Sequence, residues 1–263
     1  MTASSGRWGD LVPRILSAIA MLAVGGGAIW AGGTVFALLA VACTGLMMWE
    51  LARMTRGEGY DASVLLGLLA AAVLALNLFG PQPWAIPLLL LPVLAGVIAP
   101  RRDTAVFAAY ALVILATGWA LVALRQGAGL APVLWLLAVV VVSDVAGYFA
   151  GRILGGPKFW PKVSPKKTWS GTVAGWIGAA LVGAAFWAAG QGSAALVWVS
   201  PLVAFAGQMG DIAESAIKRR AGVKDSSALI PGHGGLLDRF DALAFAAILT
   251  AVLLPALTLF PKV

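Results

Sequence analysis

Residues 105–123 read AVFAAYALVILATGWALVA, a run of nineteen residues without a single charged side chain. Arg101 and Arg102 precede this run, and Arg125 follows it. An α-helix of this length covers about 30 Å, which is the thickness of the hydrocarbon layer of a bilayer. The run therefore predicts a transmembrane helix with basic residues at both membrane surfaces.

The composition of the whole chain agrees with that prediction. The 263 residues are 61% hydrophobic and 11% charged, and the mean hydropathy is +0.94, so a soluble protein is excluded as a class. The chain has one cysteine, Cys43, and one histidine, His233, which excludes an intrachain disulfide and a Cys/His zinc site. In a membrane protein the net charge of +7 indicates cytoplasmic loops, and no nucleic-acid partner is expected.

Nine apolar runs are long enough to be predicted as membrane spans. They are Ile15–Trp30, Gly33–Leu51, Ser63–Phe79, Trp84–Ile98, Ala105–Ala123, Ala131–Ala150, Gly171–Ala189, Ala194–Ile217 and Phe240–Phe260. The expected fold is therefore an all-α polytopic membrane protein with about nine transmembrane helices.

Positive charge is distributed unevenly between the predicted loops. Nine spans place sixteen Lys and Arg on one side of the membrane and two on the other. Because basic loops stay in the cytoplasm, the N-terminus is predicted to be cytoplasmic and the C-terminus to lie outside. With no repeat or linker visible, 1–263 is expected to be a single integral membrane domain. In it, 1–130 serves as a helical scaffold and 131–245 as a catalytic region at the cytoplasmic face.

The eighth predicted span carries polar residues on one face. Asp211, Glu214, Ser215 and Lys218 are spaced so that they share one side of a helix. An alternative is an interfacial helix end with an internal Asp211–Ser215–Lys218 network. Asp211 lies inside the apolar run, however, where an acid costs about 2.5–3.5 kcal/mol on insertion scales, and this favours a functional role.

The sixth predicted span contains a second intramembrane acid, Asp144, with Tyr148 one turn later. Asp144 is interpreted either as a cation ligand or as a structural acceptor for a basic group. Gly147 and Gly151 have the small-residue spacing that is typical of close helix packing.

The loop after the sixth span reads GPKFWPKVSPKKTWSGT, residues 156–172. Lys166 and Lys167 precede a predicted helix that Thr168 and Ser170 are expected to cap, an arrangement that favours phosphate binding. The alternative is that the lysines of this loop attract anionic lipid, at about 1 kcal/mol each.

The densest group of charges is KDSSALIPGHGGLLDRFDAL, residues 224–243. Separately, its parts have ordinary explanations: a helix cap at Asp238, a turn at the glycines and a surface ion pair. Together they fill a long connection between two antiparallel helices, which lets Asp211 and Asp238 converge. Two carboxylates surrounded by bases form a site for a hard cation and phosphates, and the glycines let backbone N–H groups approach phosphate oxygens.

The run SAIKRRAGVKDSSALIPGHGGLLDRFD, residues 215–241, resembles the signature of the phosphatidate cytidylyltransferases, also called CDP-diacylglycerol synthases. The segment Ser164-Pro-Lys-Lys-Thr168 and the pair Asp144 and Tyr148 resemble the same family. The resemblance extends over 140–245. Ser170 departs from it, because relatives often carry Glu there, so the resemblance implies no role for an acid at this position.

The resemblance implies a reaction of CTP with phosphatidic acid that gives CDP-diacylglycerol and pyrophosphate. It implies Mg2+ held by Asp211 and Asp238, leaves open a second, monovalent cation such as K+, and implies a homodimer. The expected location is the bacterial inner membrane, with the active site facing the cytoplasm.

Roles for the other residues follow as expectations. The catalytic set is completed by the phosphate-neutralising side chains Lys218, Lys224 and Arg239. Lys166 and Lys167 are expected to close over the nucleotide, Asp225 and Asp241 to orient bases or metal-bound water, and His233 to donate to a phosphate or order its loop. Further substrate-binding candidates are Asp144, Ser164, Thr168, Ser215, Arg219, Gly234 and Gly235.

Two other functions remain alternatives at this point. One is a related CTP-dependent lipid enzyme, either a kinase of a polyprenol or other lipid alcohol or an ether-lipid cytidylyltransferase. The other is an ion-coupled transporter, which would be expected to show repeated halves with paired broken helices.

Overall fold

A computed structural model describes residues 11–80, 85–161 and 163–260 of the chain. The described residues form ten α-helices and one two-stranded β-hairpin. The helices are α1 Leu11–Ala31, α2 Gly33–Met54, α3 Ser63–Phe79, α4 Ala85–Leu88, α5 Leu91–Ile98, α6 Thr104–Gly127, α7 Leu130–Ile153, α8 Trp169–Ala188, α9 Leu196–Ala221 and α10 Leu237–Leu257. The strands are β1 Lys158–Trp160 and β2 Ser164–Thr168.

Seven of these helices are long and apolar enough to cross a membrane: α1, α2, α6, α7, α8, α9 and α10. The helix α3 is also apolar but has 17 residues. The prediction of an all-α, multi-pass membrane protein is confirmed.

The fourth predicted span, Trp84–Ile98, was wrong as a single helix. Trp84 lies outside the described residues, and the rest is divided between α4 and α5 with a turn between them. Pro92 stands at the start of α5. Because proline has no backbone N–H, it cannot donate to the carbonyl four residues earlier, and a helix entering from α4 is interrupted there.

Contacts between loops show which helix ends lie together. Gly57 N donates to Pro100 O and Arg102 N donates to Thr55 O, each at 3.0 Å, so the connection after α2 meets the connection before α6. Arg220 at the end of α9 forms an ion pair with Asp103 at 2.8 Å in the same place. We call this end of the bundle the basic end. At the opposite end, Arg125 donates to the carbonyl oxygen of Ile29.

The uneven charge distribution therefore appears in the structure. Of the Lys and Arg in the described residues, fourteen belong to the basic end and only Arg125 to the opposite end. Three of the eighteen Lys and Arg counted in the sequence lie outside the described residues, namely Arg7, Lys162 and Lys262, as does the C-terminal Val263.

Two clusters of buried apolar side chains fill the bundle. One joins the far halves of α2, α6, α7, α9 and α10 around the fully buried Trp135 and Leu196. The other lies toward the basic end and contains Met48, Phe107 and Leu237. Since Leu237 is the first residue of α10, the second cluster anchors the point where the polar connection of residues 222–236 enters that helix.

The helices α7 and α8 approach closely through glycine, as the spacing of Gly147 and Gly151 predicted. A Cβ added at Gly147 would lie 3.1 Å from the carbonyl oxygen of Gly171, and one at Gly151 would lie 2.8 Å from Thr168 Oγ1. This contact holds the start of α8 against the last turns of α7.

Candidate functional site

Five carboxylates gather at the basic end, on α7, α9 and α10. Asp241 lies within electrostatic range of Asp211 and Asp144, and Glu214 lies within range of Asp238 and Asp241. We call these five side chains the acidic cluster. Two lysines, Lys167 and Lys218, are the basic groups in ion-pair contact with it among the described residues.

The first part of the cluster joins β2 to α9 and is partly exposed. Lys167 Nζ lies 2.5 Å from Asp211 Oδ2 and donates to the carbonyl oxygen of Gln208 at 3.3 Å. Ser215 Oγ donates to Asp211 Oδ1 at 3.4 Å, which confirms that these residues share one face of α9. We call Lys167, Asp211 and Ser215 the open half of the site.

The second part joins α9 to α10 and is buried. Lys218 Nζ forms ion pairs with Glu214 Oε2 and with Asp238 Oδ1, the latter at 2.6 Å. Asp238 Oδ2 accepts from Ser226 N at 2.9 Å, from Ser226 Oγ at 2.9 Å and from Gly235 N at 2.7 Å. We call Glu214, Lys218 and Asp238 the locked half, because the donors around Asp238 come from the protein itself.

These contacts refine several predicted roles. Asp238 is a first-turn acid of α10 rather than its N-cap, which is Leu236. Lys218 is held between two carboxylates, so its charge is used inside the protein. The N–H of Gly235, which was expected to face phosphate, donates to Asp238.

The basic segment between α7 and α8 is a small antiparallel hairpin, which was not predicted. Ser164 pairs with Trp160 and Thr168 with Lys158. Successive side chains of a strand point to opposite faces, so Lys167 turns toward Asp211 while Lys166 is exposed.

Of the two residues predicted to cap α8, one is confirmed. Thr168 is the N-cap and accepts from Gly171 N at 3.2 Å. Ser170 instead donates to the carbonyl oxygen of Gly155 at 2.5 Å and so ties the helix to the segment after α7.

The connection of residues 222–236 depends on two glycines that allow close approach. Gly234 has φ of +81°, a conformation that other residues rarely adopt, and its backbone lies against Asp225 and Asp238. A Cβ added at Gly235 would collide with Ser226 Oγ and Glu50 Oε1. His233 Nδ1 lies 2.8 Å from Ser17 Oγ on α1, so in this structure His233 orders the loop.

Sequence reasoning missed Glu50, at the end of α2. Its carboxylate is fully buried and accepts from Ser227 Oγ at 2.5 Å, from Leu236 N at 2.9 Å and from Leu237 N at 2.7 Å. The available signal was an acid inside an apolar predicted span, Gly33–Leu51, where an ionisable residue is costly and indicates a specific role.

Four exposed cations lie on the segments that carry the site: one in the hairpin, one at the end of α9, one in the connection of residues 222–236 and one in the first turn of α10. In the part of the chain that the structure describes, none of them forms an ion pair. These rim cations are Lys166, Arg219, Lys224 and Arg239. In the described residues, partly or fully buried negative charge and exposed positive charge without an ion pair therefore occur on the same segments of the basic end, which suits a cation and phosphates respectively.

The acidic cluster supplies carboxylate oxygens, which are the protein ligands that Mg2+ prefers. No three His, Cys, Asp or Glu side chains among the described residues come together as a metal-binding group. Mg2+ commonly takes one or two protein carboxylates together with substrate phosphates, however, and here five carboxylates face two lysines. Both oxygens of Glu214 are buried without a hydrogen bond in the described residues, although Lys218 forms an ion pair with one. These residues therefore fit a magnesium ion that arrives with phosphate oxygens.

Comparison with known proteins agrees with this chemistry. A sequence profile described as the Cytidylyltransferase family matches residues 12–257. Proteins named phosphatidate cytidylyltransferase are also similar. The one from Brucella suis biovar 1 (strain 1330) is 47% identical over 125 residues, which are 46% of this chain and 46% of that protein.

Two further relatives of that name come from other genera. The protein from Helicobacter pylori (strain ATCC 700392 / 26695) is 40% identical over 133 residues, 49% of each chain. The protein from Staphylococcus saprophyticus is 38% identical over 136 residues, 48% of this chain and 50% of that protein. The chain spans about half the length of the curated relatives that it matches.

Proposed function

Since the chain belongs to the cytidylyltransferase family, we propose that it transfers CMP from CTP to phosphatidic acid, giving CDP-diacylglycerol and pyrophosphate. The observation that carries this proposal is the placement of the acidic cluster and the rim cations at one end of a membrane-spanning bundle. A soluble nucleotide and a lipid headgroup can meet only at such a surface. The name of the relatives supports phosphatidate as the acceptor.

In the proposed reaction a phosphate oxygen of phosphatidic acid attacks the α-phosphorus of CTP. A new phosphorus–oxygen bond forms, the bond between the α- and β-phosphates breaks, and the electron pair leaves with pyrophosphate. Because the attacking oxygen is already anionic, no strong general base is needed. Rate enhancement then depends on positioning and on neutralisation of charge.

The residues of the site would divide this work. The rim cations Arg219, Lys224 and Arg239 would bind the triphosphate and the lipid phosphate, and Lys166 would approach from the hairpin. Lys167 lies beside Asp211 and would move between that carboxylate and the nucleotide. Asp211 and Asp238 would hold Mg2+, which supplies charge neutralisation of the triphosphate when bound; Asp238 Oδ1 would exchange its contact with Lys218 for the ion. A second, monovalent cation such as K+ belongs to the same proposal.

Location and assembly are further parts of the proposal. The excess of positive charge at the basic end supports placing that end in the cytoplasm, in the bacterial inner membrane. A homodimer is inferred from the family resemblance, and crosslinking in native membranes would test it. A cysteine at the exposed position 228, on a Cys43→Ala background, should resist a membrane-impermeant maleimide added to intact cells. Labelling from outside would reverse the orientation.

The decisive experiment uses purified protein, phosphatidic acid, Mg2+ and CTP labelled at either end of the triphosphate. With the α-phosphate labelled, radioactivity should enter the lipid, and with the γ-phosphate labelled it should appear in pyrophosphate. Transfer of the γ-label to a lipid alcohol would identify a kinase instead. No transfer of the α-label to phosphatidic acid would refute the proposed reaction.

A further inference from the structure

Glu50 lies in an environment that a free carboxylate does not tolerate. Its neighbours along α2, which include Met47, Met48 and Leu51, are buried in the apolar cluster of the basic end, and Glu50 itself is 0% exposed. A buried carboxylate is tolerated only where hydrogen bonds replace water. The partners of Glu50 therefore indicate why an acid occupies this position.

All three donors to Glu50 come from the other end of the chain. Oε1 accepts from Ser227 Oγ and Leu236 N, and Oε2 accepts from Leu237 N. The N-cap residue of α10, Leu236, has no side chain that could accept from the first N–H groups of that helix. From α2, Glu50 accepts from the N–H groups of the cap residue and of the first helical residue, and its negative charge suits the positive end of the helix dipole.

This contact determines where Asp238 lies. Asp238 follows directly after Leu237, and Gly235, whose N–H binds Asp238, directly precedes Leu236. Gly235 fits in the gap between Glu50 and Ser226, which leaves no space for a side chain. A shift of the 226–237 segment away from Glu50 would therefore carry Asp238 and its two backbone donors away from Lys218 on α9.

We propose that Glu50 is a positioning residue of the cytidylyl transfer: it binds Ser227 and the start of α10 and thereby holds Ser226, Gly235 and Asp238 in the arrangement that accepts CTP. This inference rests on the proposed function. Glu50 acts through the 222–236 loop and Asp238, and it touches no reacting atom.

The proposal predicts a particular kinetic change. Without the carboxylate, the loop occupies its binding arrangement for only a fraction of the time, and apparent affinity falls by that fraction. In Glu50→Gln the side-chain NH2 group, itself a donor, would face a backbone N–H donor. This variant is expected to raise the KM for CTP by about tenfold or more. Because saturating CTP selects the ordered loop, kcat should change by less than about threefold. A purely structural role would instead reduce the amount of active protein and leave KM unchanged.

The experiment compares wild type, Glu50→Gln and Glu50→Asp with Glu58→Gln. Glu58 is the matched control, because it is an exposed acid of the neighbouring loop. Initial rates over a range of CTP are combined with hydrogen exchange of peptides that cover residues 226–240. Glu50→Gln should speed exchange at Leu236 and Leu237, Glu50→Asp should restore part of the affinity, and Glu58→Gln should behave as wild type.

A second variant covers the case in which Glu50→Gln fails to fold. Ser227→Ala removes one of the three hydrogen bonds and is expected to raise the KM for CTP by about two- to fivefold. A wild-type KM for CTP in Glu50→Gln would overturn the proposal. If that variant does not fold, a wild-type KM in Ser227→Ala would overturn it. Unchanged hydrogen exchange at Leu236 and Leu237 would do the same. An inactive wild-type protein would refute the proposed function, and the exchange measurement would still decide whether Glu50 holds α10.

Discussion

The open half and the locked half of the site contain similar groups in different environments. In the open half, the side chains of Lys167 and Asp211 are 24% and 32% exposed. In the locked half, those of Lys218, Glu214 and Asp238 are 12%, 0% and 4% exposed. Water and substrate can therefore reach the open half directly, whereas a ligand of the locked half must first displace Lys218 from Asp238 Oδ1.

The largest expected effect concerns the two lysines. Lys218→Met leaves two buried carboxylates without a cation, which should lower the free energy of unfolding by about 3–5 kcal/mol. Lys167→Met, the matched substitution in the open half, should lower it by less than about 1 kcal/mol because the pair is partly solvated. Thermal unfolding in detergent, followed by tryptophan fluorescence, measures both. Equal losses would show that the two halves do not differ in this way.

The next prediction compares the two acids that are proposed to hold Mg2+. Asp211→Asn and Asp238→Asn should each lower turnover by at least about a hundredfold, since each removes charge from the proposed metal site. Asp211→Asn should leave the unfolding temperature almost unchanged, whereas Asp238→Asn should lower it because an amide cannot accept from Lys218, Ser226 and Gly235 together. If Asp238→Asn kept most of its activity, Asp238 would be only a structural acid of the first turn of α10.

A smaller effect separates the rim cations from the rest of the basic end. Arg219→Gln and Arg239→Gln should each lower kcat by about tenfold at saturating CTP, because contacts to the phosphates strengthen as charge redistributes in the transition state. Lys158→Gln, in β1, should preserve kcat and weaken phosphatidate affinity modestly, in a salt-dependent way. Initial rates in mixed micelles at several salt concentrations test this. A loss of affinity alone in all three variants would assign the rim cations to membrane attraction.

The smallest predicted effect lies outside both halves, at Asp61 before α3. The Ser63 hydroxyl and the Ser63 N–H both donate to this carboxylate and lower its pKa to about 2. Because the pKa in the unfolded chain is about 3.9, this contribution to stability is complete above that value and is lost as pH falls through about 2. Asp61 is largely exposed, so Asp61→Asn should change stability by less than about 0.5 kcal/mol. Unfolding of both proteins between pH 5 and 2 tests this, and the loss on acidification should be absent from the variant.

Much of the site could be predicted because its residues are close in sequence. Asp211, Ser215 and Lys218 share a face of α9 by helical spacing alone, and Asp238 lies at the start of the next helix. Their pairing could not be predicted. Whether Asp211 binds Lys167 or Lys218 depends on where the hairpin lies relative to α9, and no local pattern encodes that position.

The sequence alone determined the membrane class, most of the helices and the uneven distribution of charge, because each depends on hydropathy and spacing within short segments. The tertiary structure decided what Glu50 does, since its donors lie 177 to 187 positions away in the chain. It also decided that the fourth apolar run is divided and that Lys218 is enclosed. Burial and hydrogen bonding join segments that are far apart in the chain. The residues that surround a charged group in space decide whether its charge is available for function, and local sequence does not specify them.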